Sequence, residues 1–262
     1  MKNFAVFGGI IIILIAGFIG YEYLITSEQR GEVDYLLLNI NKENGLVVAT
    51  NSEYEPMEYL DKSGNFAGLD IDIIKRIADK LGITLNLKEY NWDDLFLVVK
   101  KGEVDLAISS VTITTERQKE ILFSIPYFNG GQSIIVRSDT DDILFPEDLK
   151  GKKVSVLKDS TCEKAALEFV DPELLSTFRS DSLTVQSLLN KTSDAVVMDY
   201  VAATFVVKNN PSLKIIGDPF TQEYYGIITR LENHLLIEEV NKVLREMKRS
   251  GELNQLIEKW IK

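Results

Sequence analysis

Residues 68–110 read GLDIDIIKRIADKLGITLNLKEYNWDDLFLVVKKGEVDLAISS, and the alternation of two periodicities along them decides the fold class. Ile71, Ile74, Ile77, Ala78 and Leu81 recur at helical spacing, and Gly82 then stops the helix. Residues 83–87 read as a strand, 92–100 as a second helix, and the apolar run from Val104 to Ile108 as a buried strand. Strands alternating with helices indicate an α/β fold with a largely parallel sheet. Just upstream, Leu46 to Ala49 is a short apolar strand, and 57–67 is a hairpin turning through Asp61-Lys62-Ser63-Gly64-Asn65.

The same rhythm returns after Gly131. Strands are expected at 133–136, 154–157, 195–198, 213–216 and 225–229, with helices at 163–170, 183–189 and 200–208 and a closing helical pair broken at Ser250-Gly251. Two α/β units with no long linker, joined near 131 and 225, imply two lobes between which the chain crosses twice. The expected organisation is an anchor over 1–27, a stalk over 28–44, a first lobe from 45–130 plus 226–262, and a second lobe over 131–225. Ligands of open α/β sheets sit beyond the strand C-termini, so the natural site is the cleft between the lobes.

Composition narrows the function. A hydrophobic content of 45% with 26% charged residues is that of a globular chain, and a net charge of −11 argues against nucleic acid as a partner. With Cys162 and His234 as the single cysteine and the single histidine, neither an intrachain disulfide, a zinc site nor a histidine-based nucleophile is expected; nor is any cofactor. Phe4 to Gly20 is an unbroken apolar run behind Lys2. No small-x-small cleavage site and no following cysteine accompany it, so it reads as an uncleaved transmembrane anchor with the remainder extracytoplasmic.

The candidate site lies at residues 106–117. The strand run empties into the hydroxyls of Ser109, Ser110 and Thr112, and Arg117 follows. Hydroxyls and backbone N–H groups at a strand end, beside a guanidinium, suit one planar anion, because arginine grips a carboxylate through two parallel hydrogen bonds. The same residue types also serve as turns and N-caps.

The chain resembles the family-3 extracellular solute-binding proteins, the polar amino-acid receptors of ABC importers. The resemblance runs over about 45–262 and is carried by ATNSEYEPMEY (49–59), GNFAGLDIDIIKRIADKLG (64–82), NWDDL (91–95), GEVDLAISSVTITTERQKEILFSIPYF (102–128), VLKDST (156–161), SDAVVMDYVAA (193–203), YYGIITR (224–230) and SGELNQLIEKW (250–260). It implies a two-lobed periplasmic-binding-protein fold, type II-like, each lobe a mostly parallel sheet flanked by helices. It also implies that Arg117, Ser109, Ser110 and Thr112 bind a ligand carboxylate with Thr161 from the opposite lobe, and that Asp199 holds the ammonium, although Asp199 also suits a helix N-cap. Asn51, Tyr54, Trp92 and Leu157 would surround the ligand side chain, with the Asn51 amide leaning toward a neutral polar one. Asp159, Asp94 and Met57 depart from the family pattern; aspartate at 159 tolerates a left-handed backbone.

The expected function is capture of a small polar amino acid by a membrane-tethered monomer and its delivery to a permease, without catalysis. Two alternatives stand beside it. One is an enzyme on the same scaffold, like cyclohexadienyl dehydratase; the other is a sensory module, which a chain ending at Lys262 without an output domain disfavours.

Overall fold

The computed structural model describes residues 30–261, and the chain divides after Gly45 into two units. In the first, a helix (α1) spans 30–43, within the stretch that the sequence assigned to a stalk. Its run of Tyr35 to Leu38 among polar residues is one apolar turn of that helix. No helix among the described residues is long and apolar enough to cross a membrane; the expected span, 4–20, lies outside them.

The second unit begins with β1 (Leu46–Thr50), the short strands β2 (Glu53–Tyr54), β3 (Glu58–Leu60) and β4 (Phe66–Ala67), and α2 (Leu69–Leu81). The stripe predicted for α2 is buried: Ile71, Ile74 and Ile77 are fully enclosed, each contributing about 1.5–3 kcal/mol. Gly82 ends the helix in the left-handed conformation. There follow β5 (Leu85–Glu89), α3 (Trp92–Lys101), β6 (Leu106–Ala107), β7 (Leu122–Phe123) and β8 (Phe128–Gly130). Next come β9 (Gln132–Arg137), β10 (Val154–Leu157), α4 (Thr161–Ala166), β11 (Leu175–Phe178), α5 (Asp181–Leu189), β12 (Ala195–Asp199), α6 (Tyr200–Asn209) and β13 (Leu213–Ile216). The chain closes with β14 (Glu223–Tyr225), β15 (Ile228–Thr229), α7 (His234–Ser250) and α8 (Glu252–Ile261).

Two five-stranded sheets form the lobes, in the orders β5-β1-β6-β15-β7 and β11-β10-β12-β9-β13. Each is mixed: four of its strands run one way, as the sequence suggested, and one, β15 or β9, runs against both of its neighbours, which gives two parallel and two antiparallel pairings. The cause is the double crossing. Strands β1, β6, β10 and β12 run toward the cleft, whereas β9 and β15 enter their sheets from the crossing and so run against their neighbours. The two crossings pair as a ribbon, β8 with β14. The ribbon needs glycine: a Cβ at Gly130 would lie 2.5 Å from the Tyr225 hydroxyl, and one at Gly131 would lie 2.3 Å from the Thr221 carbonyl oxygen. Each sheet has its own apolar core, one around Ala49, Leu95, Val99 and Ile228, the other around Ile134, Val156, Ala195 and Val197.

Candidate functional site

Because β1, β6, β10 and β12 all end at the cleft, the residues just beyond them face one another. Asn51 follows β1. Ser109, Ser110 and Thr112 follow β6, with Arg117 on a 3-10 turn, Arg117–Lys119. Leu157 ends β10, Thr161 opens α4 and Asp199 ends β12. All ten residues singled out in the sequence, Tyr54 and Trp92 included, line one cavity of about 50 Å³.

The Arg117 guanidinium is held by its surroundings. Its Cζ lies 5.4 Å from the Trp92 ring centroid and 4.9 Å from that of Phe96, and Nη1 donates to the Thr112 carbonyl at 2.9 Å. Cation–π contacts of this kind contribute about 0.5–2 kcal/mol and fix the plane of the fork. Burial lowers its pKa, opposed by Glu223 and Asp199; a guanidinium stays charged nonetheless. Among the described residues no carboxylate pairs with it within 4.0 Å. Trp92, expected as a wall for the ligand side chain, therefore also steadies the arginine, and Phe96 is a partner that the sequence did not reveal.

Asp199 occupies the N-cap position of α6 but caps nothing with its side chain. Its carboxyl instead accepts from the Tyr54 hydroxyl at 2.7 Å, across the cleft, and from Gln132 Nε2 at 2.6 Å. The β12–β9 register sets Gln132 directly opposite Asp199. Burial, reinforced by the nearby Glu223, raises its pKa to about 6.

The hydroxyls point inward. Ser109 donates to Glu58 at 2.7 Å and Ser110 to the other Glu58 oxygen at 3.3 Å. Thr112 and Thr161, one from each lobe, donate to the same oxygen of Glu223 at 2.7 and 2.8 Å. Glu223 lies on the ribbon strand β14 and also accepts from Gln132 at 2.9 Å. Ser110 itself is in the left-handed region, φ 49, and its N–H donates to Asp70 at 2.7 Å. Glu58 and Asp70 form a buried carboxyl pair. Desolvation raises both, Asp70 to about 7 and Glu58 well above the ordinary carboxylate range, the latter pushed also by Asp70's charge. Their mutual hydrogen bond raises Glu58 and lowers Asp70, which makes Glu58 the side that holds the proton.

The cavity also takes in Glu53, Ser160, Arg179, Ser180 and Asp181, which sequence reasoning passed over. Glu58, Asp70, Gln132 and Glu223 were passed over too, since they read as ordinary polar residues until the lobes meet. Asp159 has φ 56, as its tolerance of left-handed geometry allows, and Asp194 serves a turn, accepting from the Lys153 N–H. His234 is exposed at the start of α7. Among the described residues no cluster could hold a metal ion.

The family model for bacterial extracellular solute-binding proteins, family 3, matches residues 46–262. The chain is 32% identical over 227 residues to the L-cystine-binding protein TcyJ of Escherichia coli (strain K12), covering 86% of this chain and 85% of that one. An ancestral arginine-binding protein bound to glutamine superposes with a TM-score of 0.79 at 40% identity, over 82% of this chain and 96% of the other. The ancestral amino acid-binding protein AncCDT-1, a precursor of cyclohexadienyl dehydratase, gives 0.79 at 33%, over 87% and 100%. With a match spanning both lobes and the cleft between them, the chain belongs to the bacterial extracellular solute-binding proteins of family 3.

Proposed function

We propose that this chain is an extracytoplasmic receptor that captures a polar amino acid between its lobes and hands it to the permease of an ABC importer. The observation that carries this reading is the pairing of opposite charges on one cavity. Arg117, with no carboxylate partner among the described residues, comes from one lobe, and Asp199 comes from the other. A zwitterion stripped of water needs a countercharge at each end. Arg117 forks the carboxylate, Ser109, Ser110, Thr112 and Thr161 help once their hydroxyls turn from Glu58 and Glu223 to the ligand, and Asp199 takes the ammonium. Asn51, Tyr54, Trp92 and Leu157 surround the side chain. The lobes close about the β8–β14 ribbon, and the permease reads the closed form. The receptor works as a monomer, and the 4–20 run tethers it, raising its concentration at the transporter.

The test is a thermal-shift screen of the full chain in mild detergent against the common amino acids. A true ligand at 100 times its dissociation constant adds about 2.7 kcal/mol, and Arg117→Ala abolishes the response. A transition unmoved by every amino acid sinks the reading. One observation favours a second reading, an elimination catalyst. Asp181 lines the cavity, and burial with the charge of Asp199 raises its pKa to about 7, the range of a general acid. Turnover of a cyclohexadienyl substrate, lost in Asp181→Asn, would favour it.

A further inference from the structure

Three residues, Glu53, Tyr54 and Asp181, line both the zwitterion cavity and a second cavity of about 400 Å³ beside it. They form the boundary shared by the two, a passage along which a ligand whose head lies between Arg117 and Asp199 can extend its side chain past Tyr54. Its walls come from opposite lobes: Glu53 and Tyr54 are β2, Asp181 opens α5, and α5 packs against β2.

The passage is acidic and uncompensated. Among the described residues, the side chains of Glu53 and Asp181 have no hydrogen-bond partner and no ion pair, and Asp181 is half-buried. Asp199 lines the same cavity. Against these three carboxylates stand Arg117 and Arg179, and Arg179 is largely exposed and already faces Asp93 across the cleft at 3.8 Å. A neutral amino acid adds no net charge, so closure around it leaves the excess negative charge in a shrinking, drier space. A cationic side chain cancels it. The Asn51 amide does not decide the matter: its Nδ2 donates to the Tyr90 carbonyl and its Oδ1 accepts from the Glu53 N–H, so it is turned to the backbone.

We infer that the ligand is an amino acid of net positive charge, its side chain lying along Tyr54 and its cationic end held between Glu53 and Asp181. This rests on the capture reading above and names the ligand class of that same site. The methylene stem then lies against an aromatic ring, and the charge reaches carboxylates from both lobes, so the side chain itself helps draw the lobes together.

Calorimetric titration of the full chain in mild detergent separates the possibilities, with L-arginine, L-lysine, L-glutamine and L-citrulline as probes. Citrulline has arginine's shape without its charge. Arginine or lysine is expected to bind at least about 30-fold more tightly than citrulline. Glu53→Gln with Asp181→Asn should cut that ratio to about threefold. Glu53→Gln alone, at an exposed position away from any helix end, should narrow the ratio part-way and guards against a folding defect in the Asp181 variant. Citrulline or glutamine binding as tightly as the cations overturns the inference while keeping amino-acid capture. A ratio unmoved in the double variant also overturns it. Failure of all four probes and of every other amino acid overturns capture and the inference together.

Discussion

The Tyr54 hydroxyl donates to Asp199 Oδ2 at 2.7 Å, joining a strand end of one lobe to a strand end of the other. The residue expected to be a flat wall is therefore also a latch between lobes. Tyr54→Phe keeps the ring and removes the latch. It should lower the stability of the ligand-free protein by about 1–2 kcal/mol, as for a hydrogen bond to a charged group. Urea unfolding of the two proteins measures this; an unchanged midpoint would mean that the bond contributes nothing to closure.

Arg117 depends on shape as much as on charge. Arg117→Lys keeps the cation but loses the fork and the stacking on Trp92 and Phe96. Amino-acid affinity should fall by about 100-fold or more in Arg117→Lys and become undetectable in Arg117→Ala. Phe96→Leu, which keeps the arginine and removes one of its faces, should cost about three- to tenfold. Titration calorimetry reads all three. A lysine variant binding like the parent would show that charge alone suffices.

Stability and binding should respond to pH in opposite directions. Asp199 is raised from an ordinary 3.8 to about 6, and Asp70 and Asp181 to about 7. A raised carboxyl pKa means that the folded chain holds more protons than the unfolded one between the two values. That stability is full below about pH 4 and lost as pH rises through 6 to 7. The ligand-free protein should thus melt at a lower temperature at pH 8 than at pH 5. Binding needs the ionised Asp199, so affinity should drop about tenfold per unit as pH falls below 6. Calorimetric scans with and without ligand at several pH values test both signs; parallel trends would contradict the assignment of Asp199 to the ammonium.

The Glu58–Asp70 pair predicts an asymmetry. Glu58→Gln still offers a donor to the Asp70 carboxylate and should cost about 1 kcal/mol or less. Asp70→Asn turns an amide toward the Ser110 N–H and Tyr127 hydroxyl, both donors to Asp70 Oδ2, and should cost about 2–3 kcal/mol. Chemical denaturation of the two variants decides; equal costs would mean that the proton is not carried by Glu58.

Local periodicity carried much of this fold. The stripe on α2, its stop at Gly82 and the strand β13 stand where the sequence put them. What was not legible depends on long-range pairing. Strand β11, Leu-Ser-Thr-Phe, is a half-exposed edge with too little apolar alternation to announce itself. The expected strand over 225–229 splits, because Tyr225 pairs with the ribbon strand β8 while Ile228 pairs with β6 and β7. The mixed sheets arise from the same crossing. At the site, strand-end hydroxyls, the arginine and Asp199 have local signatures that a family resemblance could organise. Glu223, Gln132 and Asp181 have none: their surroundings exist only once two segments distant in the chain face each other.

Glu223 sits on the ribbon and accepts from Thr112 of one lobe and Thr161 of the other, whereas Glu53 and Asp181 stand at the far rim. The pivot and the reader of the side chain are thus built from different residues. A designer could exchange the rim pair to retarget the receptor and leave its swing untouched, which is the arrangement a lineage needs to diversify its cargo without reinventing its motion.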